Sequence, residues 1–600
     1  MNRWKSQLQS ALSAAQGAPR LLFAVAFALA AIPAVYIALL VRRFGVDVPL
    51  WDDWDMVPMI AHAHTGELSF AELFAQQLEA RTLLPKLLFI LMTFTGRYDA
   101  RDAMMLSVVF CCLIALGIFL LLRRSGVSVV ATTICFLLIV LSVFSPAQEE
   151  LWLLASGFPS FMPGLFILAA LLLLQSKISV AAKFCACAPL AIASTFTLAH
   201  GLLAFGLTFP VFLLWENVPR WPRWFAAWCA LAALCAVAYF WGYTKPKEVP
   251  DFAPDVPLTA YVQYALAFLG GGLAYGLRAR LGQVPLTAAT TFGLLLLVLF
   301  SAAAAYALAR WRDREFRRRA LPWFALGCYS IACSIPAALG RVGLGVQQAL
   351  DSRYVTFSLY LTAALIALAP IIVADLASRS RPVRFRVVLP AFCALFAAAY
   401  IGLYAIGFGT SVALLEQRAA RYRLGRAAVV FSHALDTAPV MKKNNTTTPV
   451  LARQLAGLLD RLGLLQPPLI HTNRLNSLPH ERADGDEVSG KFDRGAPIEG
   501  GLYSATGWAA LEDKSRPADC VILAYQTPSL EWIAVAISDT VVQRPDVVDL
   551  LDDEDQLWSG WTAKFPTRAV PPGAKISAWA FDADESKLYQ LPGEIVLAQR

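Results

Sequence analysis

The sequence predicts an α-helical polytopic membrane protein of about eleven transmembrane helices, followed by a small all-β, sandwich-like extracytoplasmic domain. Three observations lead there. First, 58% of the 600 residues are hydrophobic and only 16% are charged, against roughly 25% charged in a soluble protein, and the mean hydropathy is +0.55. So much apolar surface needs a bilayer as solvent, which excludes a cytosolic enzyme, a nucleic-acid-binding protein and a disordered scaffold. Second, apolar runs long enough to cross the hydrocarbon core recur over the first 410 residues. Third, beyond residue 490 short alternating apolar runs stand between Gly, Pro and Asp clusters, which is the pattern of strands.

From the N-terminus, the candidate spans are 21–41, 103–122, 127–144, 160–175, 184–199, 201–215, 224–243, 287–309, 321–339, 354–374 and 386–408. The first is too long for a cleaved signal peptide, and more spans follow it. Two further apolar stretches, 83–95 and 257–277, are flanked by charge or interrupted by Gly270, Gly271 and Gly272. They are expected as interfacial or re-entrant helices. Cationic residues in short loops favour the cytoplasmic side. With the N-terminus inside, that side receives Arg123, Arg124, Lys177, Lys183, Arg220, Arg223 and the arginines of 310–319 and 379–386. Arg42 and Arg43 are the exception. The net charge of +8 thus comes from arginines between apolar runs and does not form a nucleic-acid groove.

An odd number of spans places the C-terminus outside. The expected organisation is a membrane core over 1–410 with a first external loop at 42–102, a helical linker region over 411–489, and an external β domain over 490–600. Within the linker, helices are expected at 411–436 and 450–464. The runs 520–525, 532–536 and 575–580 read as strands. Ten of the eleven cysteines lie in or beside apolar runs and read as small buried hydrophobes. Cys520 alone belongs to the polar region, so no disulfide framework is implied.

Chemistry concentrates on the predicted outer face. Directly after the first span comes Trp51-Asp52-Asp53-Trp54-Asp55. Acids crowded at an apolar boundary raise one another's pKa, and one kept ionised can take a proton from a hydroxyl. The same residues also read as a solvated acidic cap with interfacial tryptophans. Further on, Glu79, Arg81 and Lys86 lead into an apolar helix, either as a surface ion pair or as an anion site. Arg341 and Arg353 lie in the glycine-containing segment 340–354, on the side where the orientation rule asks for no arginine. Each has a planar fork suited to phosphate. Glu149 and Glu150 add acids to that face, and His200 falls between two spans. His62 and His64 near the acidic loop suggest a metal only by proximity.

With these residues in place, the chain resembles the GT-C superfamily of integral-membrane glycosyltransferases, such as the aminoarabinose and protein-mannose transferases. The resemblance covers roughly residues 20–410 and rests on Trp51 through Asp55, Glu79 through Pro85, and Gly340-Arg341 through Ser352-Arg353-Tyr354. It implies a polyprenyl-phosphate-sugar donor, an envelope glycan or lipid acceptor, transfer on the periplasmic side of a bacterial inner membrane, and a first-loop aspartate as base. By position, Asp52 or Asp53 matches that aspartate. Arg81, Lys86, Arg341 and Arg353 would hold the donor phosphate, with Asp55, Glu79, Glu150, His200 and Tyr354 in support. The chain departs from the family at Ala80, where many relatives carry a histidine. Donor phosphates in the family are held either with a divalent metal (Mg or Mn) or by arginines alone, and both remain open. The tryptophans Trp508, Trp532, Trp558, Trp561 and Trp579 read either as β-domain core or as a sugar-stacking surface. A flippase of lipid-linked sugars and an O-antigen ligase or polymerase are the competing expectations.

Overall fold

The computed structural model describes residues 19–246, 255–278, 282–379, 383–444, 448–482 and 488–596. Among these residues nine helices are long and apolar enough to cross a membrane: Leu21–Phe44, Ala100–Arg124, Val129–Trp152, Ala155–Leu174, Trp221–Phe240, Leu286–Ala309, Arg314–Leu344, Ser352–Ala377 and Ala391–Val430. Two more of the expected spans are apolar helices of less than membrane length, Val180–Thr195 and Ala199–Trp215. By length and composition this is a multi-pass membrane chain with a C-terminal β region. Side chains set several helix starts. Ser128, Ser179 and Asp313 each accept a bond from the backbone N–H three residues on, satisfying donors that the first turn leaves unpaired.

The chain divides into two compact units. One comprises Met1–Arg43, Leu73–Leu87 and Ala103–Ala413, and the other Phe44–Glu72, Leu88–Asp102 and Leu414–Arg600. The expected first external loop is therefore shared between them. The later division between the units, at Ala413 and Leu414, falls inside a single helix, Val383–Val430.

In the first unit the helix Val355–Ala377 sits at the centre, buried at nearly every position from Val355 to Leu368. Ser330 ties it to the neighbouring helix Arg314–Arg341: its hydroxyl donates to the Phe357 carbonyl at 2.6 Å and accepts from the Leu361 N–H at 2.9 Å. The stretch expected to be broken at Gly270–Gly272 is instead a continuous helix, Leu258–Ala274. Its glycines do not interrupt it because they are used for packing. A β-carbon on Gly270 would lie 2.0 Å from the Ala289 carbonyl oxygen, and one on Gly293 would lie 1.9 Å from that of Leu266. Only residues lacking a β-carbon let these two backbones approach so closely. Gly293→Val is thus expected to push the helices apart and cost about 1–3 kcal/mol or more. Gly402→Ala, with nothing within 4 Å of the added carbon, should leave the melting temperature in detergent unchanged.

Among the described residues of the second unit, ten strands form two sheets: β1 (His480–Arg482), β2 (Val488–Ile498), β3 (Leu502–Leu511), β4 (Arg516–Pro517), β5 (Cys520–Gln526), β6 (Trp532–Ile537), β7 (Thr540–Val542), β8 (Gly560–Pro566), β9 (Lys575–Asp582) and β10 (Lys587–Val596). One sheet runs β1-β10-β9-β5-β6; the other runs β2-β3-β8-β7, with β4 on β3. Side chains from both sheets, including Phe492, Tyr503, Leu523, Trp561, Ile576 and Tyr589, bury one another in a common core. Alternation along each strand supplies that core, since every second side chain points the same way. Trp508, Trp532, Trp561 and Trp579 are all buried, so packing absorbs four of the five tryptophans that also read as a sugar-stacking surface. The expected helix at 450–464 is Pro449–Arg461. It packs on the helix Val57–Thr65. The cysteines expected to be buried divide: Cys112, Cys185, Cys229 and Cys328 are exposed on apolar helices, as suits surfaces facing lipid.

Candidate functional site

Within the first unit, a polar network forms where helix Arg314–Arg341 ends and helix Val355–Ala377 begins, across the short 3₁₀ turns Val346–Leu350 and Ser352–Tyr354. Gln348 is its hub. The Gln348 amide donates to Asp351 Oδ2 at 3.0 Å and to the Tyr354 hydroxyl at 2.9 Å, and its carbonyl accepts from Tyr264. Arg353 Nη2 donates to the same Asp351 oxygen at 3.0 Å, while Nη1 stands 3.7 Å from Glu150 Oε1. The second contact is too long for a good hydrogen bond and acts through charge. Arg353 Nε is buried and makes no hydrogen bond among the described residues. The Ser352 hydroxyl accepts from the Glu150 N–H at 3.3 Å, holding the acid-bearing turn in place.

Arg341 donates to Glu79 Oε1 at 2.5 Å. It also lies within electrostatic reach of His200 and Tyr264. The His200 ring packs 4.8 Å from that of Phe357. Tyr275 donates to Glu149 at 3.0 Å, and Arg278 approaches the same hydroxyl at 3.4 Å. Glu79, Glu149, Glu150 and Asp351 therefore stand among Arg278, Arg341 and Arg353, nearly balanced in charge. A cavity close by, lined by Tyr275, Val355, Ser358 and Tyr400 among others, holds only about 50 Å³. That accommodates water and no sugar.

Arg81 and Lys86 serve the backbone. The Arg81 guanidinium donates to the carbonyls of Tyr239 at 2.6 Å, Phe74 at 2.7 Å and Trp241, and lies 4.8 Å over the Phe74 ring. Lys86 Nζ donates to the Ala75 carbonyl at 2.7 Å. Both are almost fully buried, and their geometry is that of clamps on the segment around residues 74–80.

The acidic motif lies in the second unit as a 3₁₀ turn, Trp51–Met56. Its three aspartates differ. Asp53 is fully buried and accepts from the Leu50 N–H at 3.0 Å, closing the turn reciprocally with its own N–H on the Leu50 carbonyl. Asp52 and Asp55 are exposed. Trp51 adopts φ 44°, an uncommon conformation for a bulky residue, and so turns the chain immediately before Asp52. His62 Nδ1 pairs with Glu72 at 2.5 Å, and His64 Nε2 with the Thr93 hydroxyl at 3.0 Å. Among the described residues no group of three His, Cys, Asp or Glu is arranged to hold a metal ion.

Sequence reasoning passed over Asp47. It is buried, and its Oδ1 accepts from the Ala100 N–H at 2.9 Å, pinning the chain after the first span to the start of helix Ala100–Arg124. Burial first, and then Asp99, push its carboxyl up to about 6. The signal available was an isolated acid between Val46 and Val48. Because the folded pKa lies above the unfolded one, the native state holds this proton longer, and stability falls as pH rises from about 4 to 6. The fall amounts to roughly 3 kcal/mol at about 1.4 kcal/mol per unit and is complete above the folded value. Asp47→Asn keeps an acceptor for Ala100 and loses the charge. It is expected to flatten this part of the melting profile and to raise the melting temperature at pH 7.

Tyr264 and Tyr275 were also passed over, though each is a phenol in an otherwise apolar stretch. Comparison with known proteins adds no assignment: no family model, no curated protein and no solved structure matches this chain.

Proposed function

We propose that the chain is a membrane glycosyltransferase that moves a sugar from a polyprenyl-phosphate-linked donor to a cell-envelope glycan or lipid acceptor. The reading places the reaction on the periplasmic side of a bacterial inner membrane. It takes Val180–Thr195 and Ala199–Trp215 as the two spans that complete eleven, and the two sheets with their common core as a sandwich. The observation that carries the reading is the Arg353 fork. It stands at the first turn of a membrane-length helix, held by Asp351 on one side and only loosely by Glu150 on the other, with Nε buried and without a partner among the described residues. Such an unmade bond costs roughly 1–3 kcal/mol, and an anionic oxygen at headgroup depth removes that cost.

In the proposed reaction the acceptor hydroxyl gives its proton to a first-loop aspartate. Its oxygen forms the new bond to the anomeric carbon, and the bond from that carbon to the phosphate oxygen breaks with inversion. Polyprenyl phosphate leaves with the electron pair, its charge stabilised by Arg353 and Arg341. The resemblance gives the role of base to a first-loop aspartate, and of its two candidates Asp52 is exposed while Asp53 is buried. The clustering of charge at helix ends favours chemistry at the surface over passage through the membrane, where ionisable groups gather near the midplane.

The test is a doubly labelled donor lipid in proteoliposomes. A new glycosidic bond on an added acceptor supports the proposal. Movement of intact donor between leaflets with no new bond would replace it with a flippase.

A further inference from the structure

The second unit contains a cavity of its own, of about 400 Å³, lined by Ser432 through Ala438, Met441 and the first turn of helix Pro449–Arg461. That volume falls within the range of small-molecule sites, roughly 300–1,000 Å³. Arg453 lies on its wall and makes no hydrogen bond or ion pair among the described residues. His433 lies on the facing segment, its Nδ1 3.3 Å from the Ser432 hydroxyl. His433 and Arg461 both approach Gly457 behind the wall: a β-carbon there would lie 3.6 Å from His433 Nε2 and 3.7 Å from Arg461 Nη1. The His471 ring stands 5.2 Å from that of His433.

The acids nearby are occupied. Asp436 Oδ1 accepts from the Ala438 N–H at 3.2 Å, and Asp460 Oδ1 from the Leu469 N–H at 3.0 Å, with Asp460 Oδ2 3.6 Å from His471. The cavity therefore presents positive charge from Arg453 beside neutral donors and acceptors. Burial first, then Arg453 and His471, hold His433 below the usual histidine range. That favours the uncharged imidazole, a hydrogen-bonding ring suited to hydroxyls. Val450, 70% exposed at the rim, offers an apolar surface of the kind that the C–H face of a sugar covers.

We propose that this cavity binds a saccharide carrying a carboxylate or a phosphate, with Arg453 on the anion and His433, Ser432 and Thr437 on the hydroxyls. The site is independent of the transfer reaction proposed above and stands or falls separately. Isothermal titration calorimetry on the full chain in detergent tests it with four probes: glucuronate, glucose 6-phosphate, glucose and inorganic phosphate. Saturable binding is expected for one of the two anionic sugars, and which one identifies the anion. Arg453→Gln should weaken it about tenfold, the worth of one charge-assisted bond, with an unchanged melting temperature because Arg453 is exposed. His433→Phe should weaken it while leaving the response to inorganic phosphate alone. Failure of both anionic sugars to bind, or equal affinity in Arg453→Gln, overturns the proposal. Glucose binding as tightly as its phosphate overturns the role of the anion. Inorganic phosphate binding as tightly as glucose 6-phosphate overturns the saccharide.

Discussion

Asp52→Asn is expected to abolish transfer, by about 10²–10⁴-fold in kcat, the usual worth of a positioned general base. Its fold should survive. Asp52 is exposed, and an amide of the same shape adds no bulk. Asp53→Asn should behave in the opposite way. That carboxylate is fully buried and accepts the Leu50 N–H at 3.0 Å. Replacing it risks turning the amide NH₂ toward a backbone donor, at a cost of about 1–3 kcal/mol. The melting temperature should therefore drop in Asp53→Asn and stay level in Asp52→Asn. Turnover should vanish in the second and persist in whatever fraction of the first remains folded. Measuring both quantities on both variants separates base from turn-former. Full turnover by Asp52→Asn would exclude it as base, and an inactive but fully stable Asp53→Asn would exchange the two roles.

Arg353→Lys is the second large effect. Lysine keeps the charge and can still reach Asp351, but it loses the planar fork and with it the Nε that lacks a partner among the described residues. If that fork receives the donor phosphate, donor-lipid affinity should fall about tenfold or more, since one of two charge-assisted bonds disappears. Stability should hardly change. The Arg353–Asp351 pair is more than a third exposed on both sides, and pairs of that kind contribute about 0–1 kcal/mol. Donor binding and melting temperature measured side by side decide the matter. Unchanged binding removes Arg353 from the donor site and leaves the transferase reading resting on Asp52. Arg81→Lys provides the contrast: its three carbonyl contacts are structural, so its cost should appear in the melting temperature first.

Much of the architecture was legible because it follows from periodicity and length. Membrane-length apolar runs declare themselves wherever they occur, and nine of the expected eleven are helices of full span among the described residues. The strands at Cys520–Gln526, Trp532–Ile537 and Lys575–Asp582 were equally plain as short apolar runs between turn clusters, and the first and last are buried on both faces over most of their length. The segment from Gly340 to Tyr354 stood out by its arginines and glycines between apolar runs, and it forms a polar network.

Roles within those motifs depend on partners remote in sequence. Arg81 and Arg353 look alike along the chain. One is committed to carbonyls about 160 residues away, and the other keeps an unmade bond. The adjacent Asp52 and Asp53 part company because a 3₁₀ turn directs one inward and the other outward. Gly270 looked like a helix breaker and is a packing surface, a distinction that exists only once Ala289 and Gly293 lie against it. Composition and periodicity determine which segments become membrane helices and which become strands, because those depend on local geometry and on solvent. Burial, hydrogen-bond partners and proton affinity belong to the assembled chain, because each is set by atoms that only folding brings together.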